Sequence, residues 1–408
     1  MYTVGIILYG IAVYIASFFN RKAKLLFAGQ RQSFRILKEK IDPEADYVWF
    51  HAASLGEFEQ GRVLMESIRR QYPHYKILLT FFSPSGYEVM KNYQGADVIC
   101  YLPLDTFYNS TKFLKLVNPK MVFFIKYEFW ANYLYDLKHK HIPTYSIASI
   151  FRSDQVFFKS YGLMYMKILG CFTHFFVQNE ESRILLAQKG FNNVSVVGDT
   201  RFDRVLQIRD GARDIPMVSA FARQTGDDGY MMVAGSSWPQ DEDIIIDYFN
   251  RHPEQRLILA PHVVSEAHLH EIEEKLRRPS VRLSQATEET AGVASCLIVD
   301  GYGMLSSIYR YARRAYIGGG FGAGIHNVPE AAVYGIPTII GPNNKKFREV
   351  QQLIAENATF EIHSLEDYEA IMARLDDDAF CRQAGERAKA FIEREAGTVD
   401  RIMSEIDF

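Results

Sequence analysis

Arg314-Ala-Tyr-Ile-Gly-Gly-Gly-Phe-Gly-Ala-Gly-Ile-His-Asn-Val-Pro-Glu330 runs from an apolar segment, through glycines, toward a second apolar segment, Ala331–Ile340. A strand that ends in a glycine loop and leads into a helix start is the repeating unit of an α/β domain. Five glycines fall within Gly318–Gly324. They leave backbone N–H groups unshielded, and a helix start behind them suits a phosphate or carboxylate. Pro329 fits the first helical turn, where its missing N–H costs little. His326 and Glu330 are four apart and share a face if the helix has begun. The alternative is a tight turn with no ligand. The pattern is neither a dinucleotide fingerprint nor a P-loop.

The same alternation extends in both directions. Asp46–Phe50, Lys76–Phe82, Val98–Leu102, Met121–Ile125, Thr144–Ser149, Phe175–Val177 and Val194–Val197 read as apolar strands separated by helical spacing. After a polar stretch at 211–229, strands resume at Met231–Ala234, Arg256–Ala260, Ser295–Val299, Ala315–Ile317 and Thr338–Ile340. Strands apolar throughout belong to parallel sheets covered on both faces, which bind ligands beyond their carboxyl ends. The expected fold class is therefore α/β, with two Rossmann-like domains and a cleft between them. The expected boundaries are an apolar helix at 1–24, a first domain at 25–210, a linker at 211–229, a second domain at 230–385 and a closing helix at 386–408.

The chain has 408 residues, 48% of them hydrophobic, enough for two or three real cores. A formal net charge of −3 gives no field for nucleic acid. Cys100, Cys171, Cys296 and Cys381 have no metal or redox spacing and read as reduced thiols. Val4–Phe19 is uncharged and is followed by Arg21-Lys-Ala-Lys24. A membrane span needs about 20 apolar residues, so this stretch is short, and a tilted or shallow membrane attachment is expected. A buried first helix is the alternative.

Several strand ends carry chemistry. His51-Ala-Ala-Ser-Leu-Gly-Glu57 leaves the first strand. Ser54 and Glu57 have the spacing of a capping box, and Gly56 permits close approach. Glu57 is also the candidate general base, its pKa raised by partial burial. Glu128 lies among Tyr127, Phe129 and Trp130, where a carboxylate must find partners. Ser236 and Ser237 follow a strand and could donate to a phosphate, and His262 ends the next strand. Asn344 and Lys345 lie at the end of the last one. No metal-ligand set is convincing, and no cofactor is expected.

These strings resemble the 3-deoxy-D-manno-octulosonic acid (Kdo) transferases of lipopolysaccharide assembly, over nearly the whole chain. His51, Ala52, Ser54, Gly56 and Glu57 match the family's first signature, and Glu128-Phe-Trp-Ala-Asn132 its second. Gly198-Asp-Thr-Arg-Phe-Asp203 matches a third. In the second half, His326, Asn327 and Glu330 are kept. Trp238 stands where the family has histidine, Pro261-His262 lacks an intervening arginine, and Ile325 replaces a glycine. The chain is thus similar to a divergent member. The resemblance implies a GT-B glycosyltransferase that moves Kdo, with inversion, from a CMP-Kdo donor to a lipid A precursor. It implies work at the cytoplasmic face of the inner membrane, against inner membrane lipid. Glu57 would be catalytic, with His51, Ser54, Gly56, Glu128 and Arg152 on the acceptor side or structural. Ser236, Ser237, His262, Gly320, Gly322, Gly324, His326, Asn327, Glu330 and Asn344 would bind the donor. The alternatives are a UDP-sugar glycosyltransferase, a sugar-nucleotide epimerase and a membrane-tethered binding or scaffold protein. The oligomeric state stays open.

Overall fold

The computed structural model describes residues 2–159, 162–223, 231–322 and 324–408. The chain forms two compact units, Met1–Arg204 with Ala396–Phe408, and Val205–Glu395. Each is built on a seven-stranded sheet whose strand pairs are parallel. This is a GT-B-like two-domain α/β fold.

In the first unit the strands are β1 (Tyr47–Ala52), β2 (Lys76–Phe81), β3 (Val98–Tyr101), β4 (Met121–Ile125), β5 (Thr144–Ser149), β6 (His174–Val177) and β7 (Val194–Val196). Their order is β3-β2-β1-β4-β5-β6-β7. Every residue of β1 is buried, and alternate side chains go to opposite layers. Tyr47 and Trp49 enter one core with Phe113, Phe124 and Tyr133. Val48 and Phe50 enter the other with Phe58, Leu64 and Phe123. Two covered faces explain why the strand is apolar at every position but His51. The strand order reverses at β1 and β4, whose carboxyl ends therefore flank the natural ligand crevice.

Two helices precede this sheet, α1 (Tyr2–Ala16) and α2 (Arg21–Lys40). Asn20 separates them and caps α2, its side chain accepting from the Lys22 and Ala23 amides at 2.9 and 3.1 Å. Gly29 lets α2 lie against the Tyr101 ring, since a Cβ there would stand 2.2 Å from it. The start of α1 is pinned where the Tyr2 hydroxyl donates to Asp105 at 2.6 Å. The α1 helix has 15 residues and ends at Ala16, short of the expected apolar limit at Phe19. Among the described residues no helix is long and apolar enough to cross a membrane. Its outer side chains are nonetheless apolar and exposed, with Leu8 at 61% and Phe19, just beyond it, at 90%.

The second unit contains β8 (Met231–Ser237), β9 (Arg256–Pro261), β10 (Ser280–Arg282), β11 (Cys296–Ile298), β12 (Arg314–Ile317), β13 (Thr338–Ile340) and β14 (Thr359–Glu361). They run in the order β10-β11-β9-β8-β12-β13-β14, with the reversal at β8 and β12. The polar stretch expected as a linker at 211–229 contains a helix, Pro216–Arg223, with Val218 and Phe221 buried. Residues 224–229 of that stretch lie outside the described residues. Nor does a single helix close the chain at 386–408. The Asp378–Glu395 helix belongs to the second unit, and Thr398–Ser404 returns to the first. Val399 and Ile402 are buried in the first unit's core, which is what draws the tail back.

Asp203 holds that return. Its carboxylate accepts from the Gly397 and Thr398 amides at 2.9 and 3.1 Å, and burial raises its pKa. Asp203→Ala leaves both donors without it, so it is expected to cost the first unit about 2 kcal/mol. Urea unfolding measures the loss, and hydrogen exchange should quicken first in Thr398–Ser404.

Candidate functional site

The first unit gathers its polar groups at the carboxyl ends of β1 and β4. His51 closes the apolar run of β1 and is fully buried. Its Nδ1 lies 2.8 Å from the Thr80 hydroxyl and 3.1 Å from the Thr80 carbonyl, while Nε2 is 3.1 Å from Glu128 Oε2. Trp130 donates its indole N–H to the same Glu128 oxygen at 2.8 Å and approaches His51 Nε2 at 3.1 Å. The carboxylate among aromatics thus finds the partners its setting demands.

Glu57 sits in the first turn of α3 (Leu55–Gln71), half-buried. The capping box expected with Ser54 is not formed. Ser54 is the N-cap residue but makes no side-chain cap bond, and Glu57 Oε2 accepts from the Ala53 amide at 2.6 Å, one residue earlier. Gly56 is exposed, with open space where a side chain would be. Burial raises the Glu57 pKa and the Glu128 charge raises it further, against the Ala53 amide, Lys126 and His51. A carboxylate at a helix start, held by one amide and pushed toward neutral, can take a proton from an approaching hydroxyl.

Two cations that sequence alone does not single out join these acids. Lys126 follows β4 with a left-handed backbone, φ 61°, and burial lowers its pKa. Glu57 and Asp199 oppose that shift, and Arg201 adds to it. Asp199 in turn grips Arg201 through its amide at 2.9 Å and its guanidinium at 2.7 Å. The readable signal was a lysine beside Glu128 and an arginine within Gly198–Asp203, but neither spacing assigns them to one cluster. Arg152 is exposed, sits over the Tyr127 ring at 5.9 Å and pairs loosely with Asp154 at 3.8 Å.

The second unit builds its own polar end at β8 and β12. These neighbouring parallel strands lead into backbones so close that a Cβ on Gly318 would stand 2.3 Å from the Ser236 carbonyl. A Cβ on Gly320 would stand 2.6 Å from Gly341. Asp241, fully buried, receives the Trp238 and Gly319 amides, each at 2.9 Å, and the Tyr316 hydroxyl at 2.7 Å. Trp238, His262 and His326 then stack face to face, with ring centroids 4.7 and 4.5 Å apart. The Trp238 indole N–H donates to His326 Nε2 at 3.1 Å. Since an indole only donates, the neutral His326 carries its proton on Nδ1, where it can donate to a ligand. Burial, and then His262, lower the His326 pKa and favour that neutral form.

Several expectations for this end are corrected. The helix after the glycines is a single turn, Pro329–Ala332, and His326 lies outside it, so His326 and Glu330 do not share a helix face. The Gly322 and Gly324 amides donate to the Gly319 carbonyl at 3.0 and 3.2 Å and are not free for a phosphate. Ala323 lies outside the described residues. Ser237 is buried and donates its hydroxyl to Glu242 at 2.9 Å. Ser236 stays half-buried with φ 54°. Asn344 is fully buried and donates to Gly341 and Glu361, which makes it a loop brace. Asn327 is exposed and donates to Glu330 at 2.8 Å.

Residues 28–204 match the family model described as 3-deoxy-D-manno-octulosonic-acid transferase (kdotransferase). The chain is 26% identical over 332 residues to a 3-deoxy-D-manno-octulosonic acid transferase of Aquifex aeolicus, covering 80% of this chain and 84% of that one. It is 24% identical over 382 residues to the enzyme of that name from Haemophilus influenzae, covering 88% and 86%. In fold it is similar to the UDP-GlcNAc 2-epimerase of Neisseria meningitidis bound to UDP-GlcNAc, with a TM-score of 0.60 at 12% identity, over 88% of this chain and 98% of that one.

The folded-state pKa of Glu57 is raised, so the fold disfavours its ionised form. Its contribution to stability is present at acid pH and is lost as pH rises through the folded value. Glu57→Gln should therefore stabilise the protein near neutral pH. The gain should vanish below the usual carboxylate range, as thermal unfolding across pH would show.

Proposed function

We propose that the chain is a divergent member of the 3-deoxy-D-manno-octulosonic acid transferase family, and that Glu57 is the general base of a sugar-nucleotide-dependent glycosyltransferase. The observation that carries this is the Glu57 carboxylate itself, half-buried at the switch point of the first sheet, bonded to one amide and raised by burial and Glu128. It takes the proton of the acceptor hydroxyl as the oxygen attacks the anomeric carbon of the donor. Lys126 and Arg201 supply positive charge beside it for an acceptor anion. In the second unit the Nδ1–H of His326 can meet a nucleotide phosphate, the Trp238 indole holding the imidazole in that tautomer while His262 stacks on it.

For the donor and acceptor, the first reading is CMP-Kdo and a lipid A precursor, as the names of the sequence relatives support. Under that reading the enzyme would work at the cytoplasmic face of the inner membrane, with the exposed apolar side of α1 as its attachment. A second reading, a UDP-sugar donor, is favoured by the departures in the second unit. Trp238 replaces the family's histidine, His262 lacks the arginine before it, and Ile325 fills a glycine position. UDP-GlcNAc is also the ligand named for the Neisseria meningitidis structure.

Purified protein offered each labelled donor with a lipid A precursor, products being read by mass, tests both readings. CMP should compete with the donor under the first and UDP under the second. Glu57→Gln should lower turnover by about 10²–10⁴-fold whichever donor is used. Near-normal turnover in that variant would remove Glu57 from the role.

A further inference from the structure

Between α1, α2 and the loop after β3 lies a cavity of about 490 Å³, inside the range of roughly 300–1,000 Å³ that small-ligand sites occupy. Its walls are two helix stripes of the same spacing. Ile7, Gly10, Ile11 and Tyr14 line it from α1, and Phe27, Gln30, Arg31 and Phe34 from α2. Residues so spaced form one face of each helix, so the two faces look at one another across the space. Leu104 closes it near Gly10, where a Cβ would stand 2.6 Å away. Ile7 and Ile11 line it while remaining 47% and 50% exposed, so it is reached from the surface.

Two features make this space more than a packing gap. The side-chain amide nitrogen of Gln30 is buried in its wall and has no hydrogen-bond partner. An apolar hollow with one orphaned donor matches a chain that carries one carbonyl. Arg31 lines this cavity and also a second hollow of about 320 Å³, shared with Ala28, Gln32 and Arg35. That neighbour is an exposed face of α2 where Arg31 and Arg35 stand one helical turn apart, with Glu39 3.9 Å from Arg35. Tyr9, also in the cavity wall, stacks on Phe82 at 6.1 Å, and Phe82 packs on Trp130 at 4.7 Å. Trp130 is the residue that donates to Glu128. An aromatic path thus joins the cavity to the polar cluster of the first unit.

We propose that this cavity binds a single acyl chain of a phosphate-bearing amphiphile, with its carbonyl at Gln30 and its phosphate at Arg31 and Arg35. That the amphiphile is the sugar acceptor rests on the transferase reading above; occupancy of the cavity does not.

The probe is 1-lauroyl-glycerol 3-phosphate, titrated below its micelle concentration into the purified full chain and followed by calorimetry. One saturable site is expected, with affinity falling about fourfold for each methylene removed. Ile11→Trp fills the cavity and should abolish binding. Ile7→Trp is the second plug should the first unfold, thermal melting being the check on both. Gln30→Leu should erase the preference for the ester over its ether analogue, and Arg31→Ala should weaken binding and flatten its salt dependence. Binding that survives both plugs, does not saturate, or is matched by inorganic phosphate alone would overturn the site. Lauroyl binding without sugar transfer from any donor would count against the transferase reading alone. Transfer without lauroyl binding would count against the cavity alone.

Discussion

The polar cluster of the first unit depends on the left-handed turn of the backbone at Lys126, where β4 stops. A non-glycine residue at φ 61° is uncommon and persists only where its surroundings hold it. Here the Lys126 amide donates to the Ile147 carbonyl at 2.9 Å, and its carbonyl accepts from the Ser149 hydroxyl at 2.8 Å. Ser149 lies where the β5–β6 register shifts, next to Ala148, itself at φ 56°. The irregularity in β5 thus braces the turn after β4. That turn leads the chain through Tyr127 to Glu128, which meets His51, and the Lys126 charge reaches Glu57.

The second unit solves the same problem by close packing of adjacent strand ends. Gly318 and Gly320 allow contacts that no side chain would permit, and the Asp241 carboxylate ties the Gly319 and Trp238 amides together. The glycines that read as an open anion cradle are therefore partly a packing device. What remains for a ligand is chiefly the stacked ring group, whose tautomer is set by an indole that can only donate. Both units place their polar ends where strand order reverses, as expected of parallel α/β sheets.

Sequence showed the layers better than the ligands. Met121–Ile125 is read at its observed limits, because a strand buried on both faces has no polar residue to blur its edges. His51, Glu57 and Glu128 stand out by position at or after strand ends, and the structure gathers His51 with Glu128 and sets the Glu128 charge against Glu57. In sequence, Ser237, Asn344 and the Gly322 and Gly324 amides read as groups for a ligand, yet each has an internal partner. Periodicity tells which face a residue takes, but not which distant polar atom waits there. The Glu242 oxygen beneath Ser237 and the Glu361 oxygen beside Asn344 are such atoms. Nor does local pattern foresee a backbone dihedral imposed by a neighbouring strand, as at Lys126.

The return of residues 396–408 to the first unit bears on how the chain is made. Phe408 stacks on Tyr72 at 4.2 Å, and Ile402 and Ile406 complete a core begun by Val48 and Phe50. Emerging from the ribosome, the first sheet must wait for the final helix, with the whole of Val205–Glu395 synthesised in between. During that interval an apolar face of the nascent domain stays uncovered, so the unit that starts first is finished last.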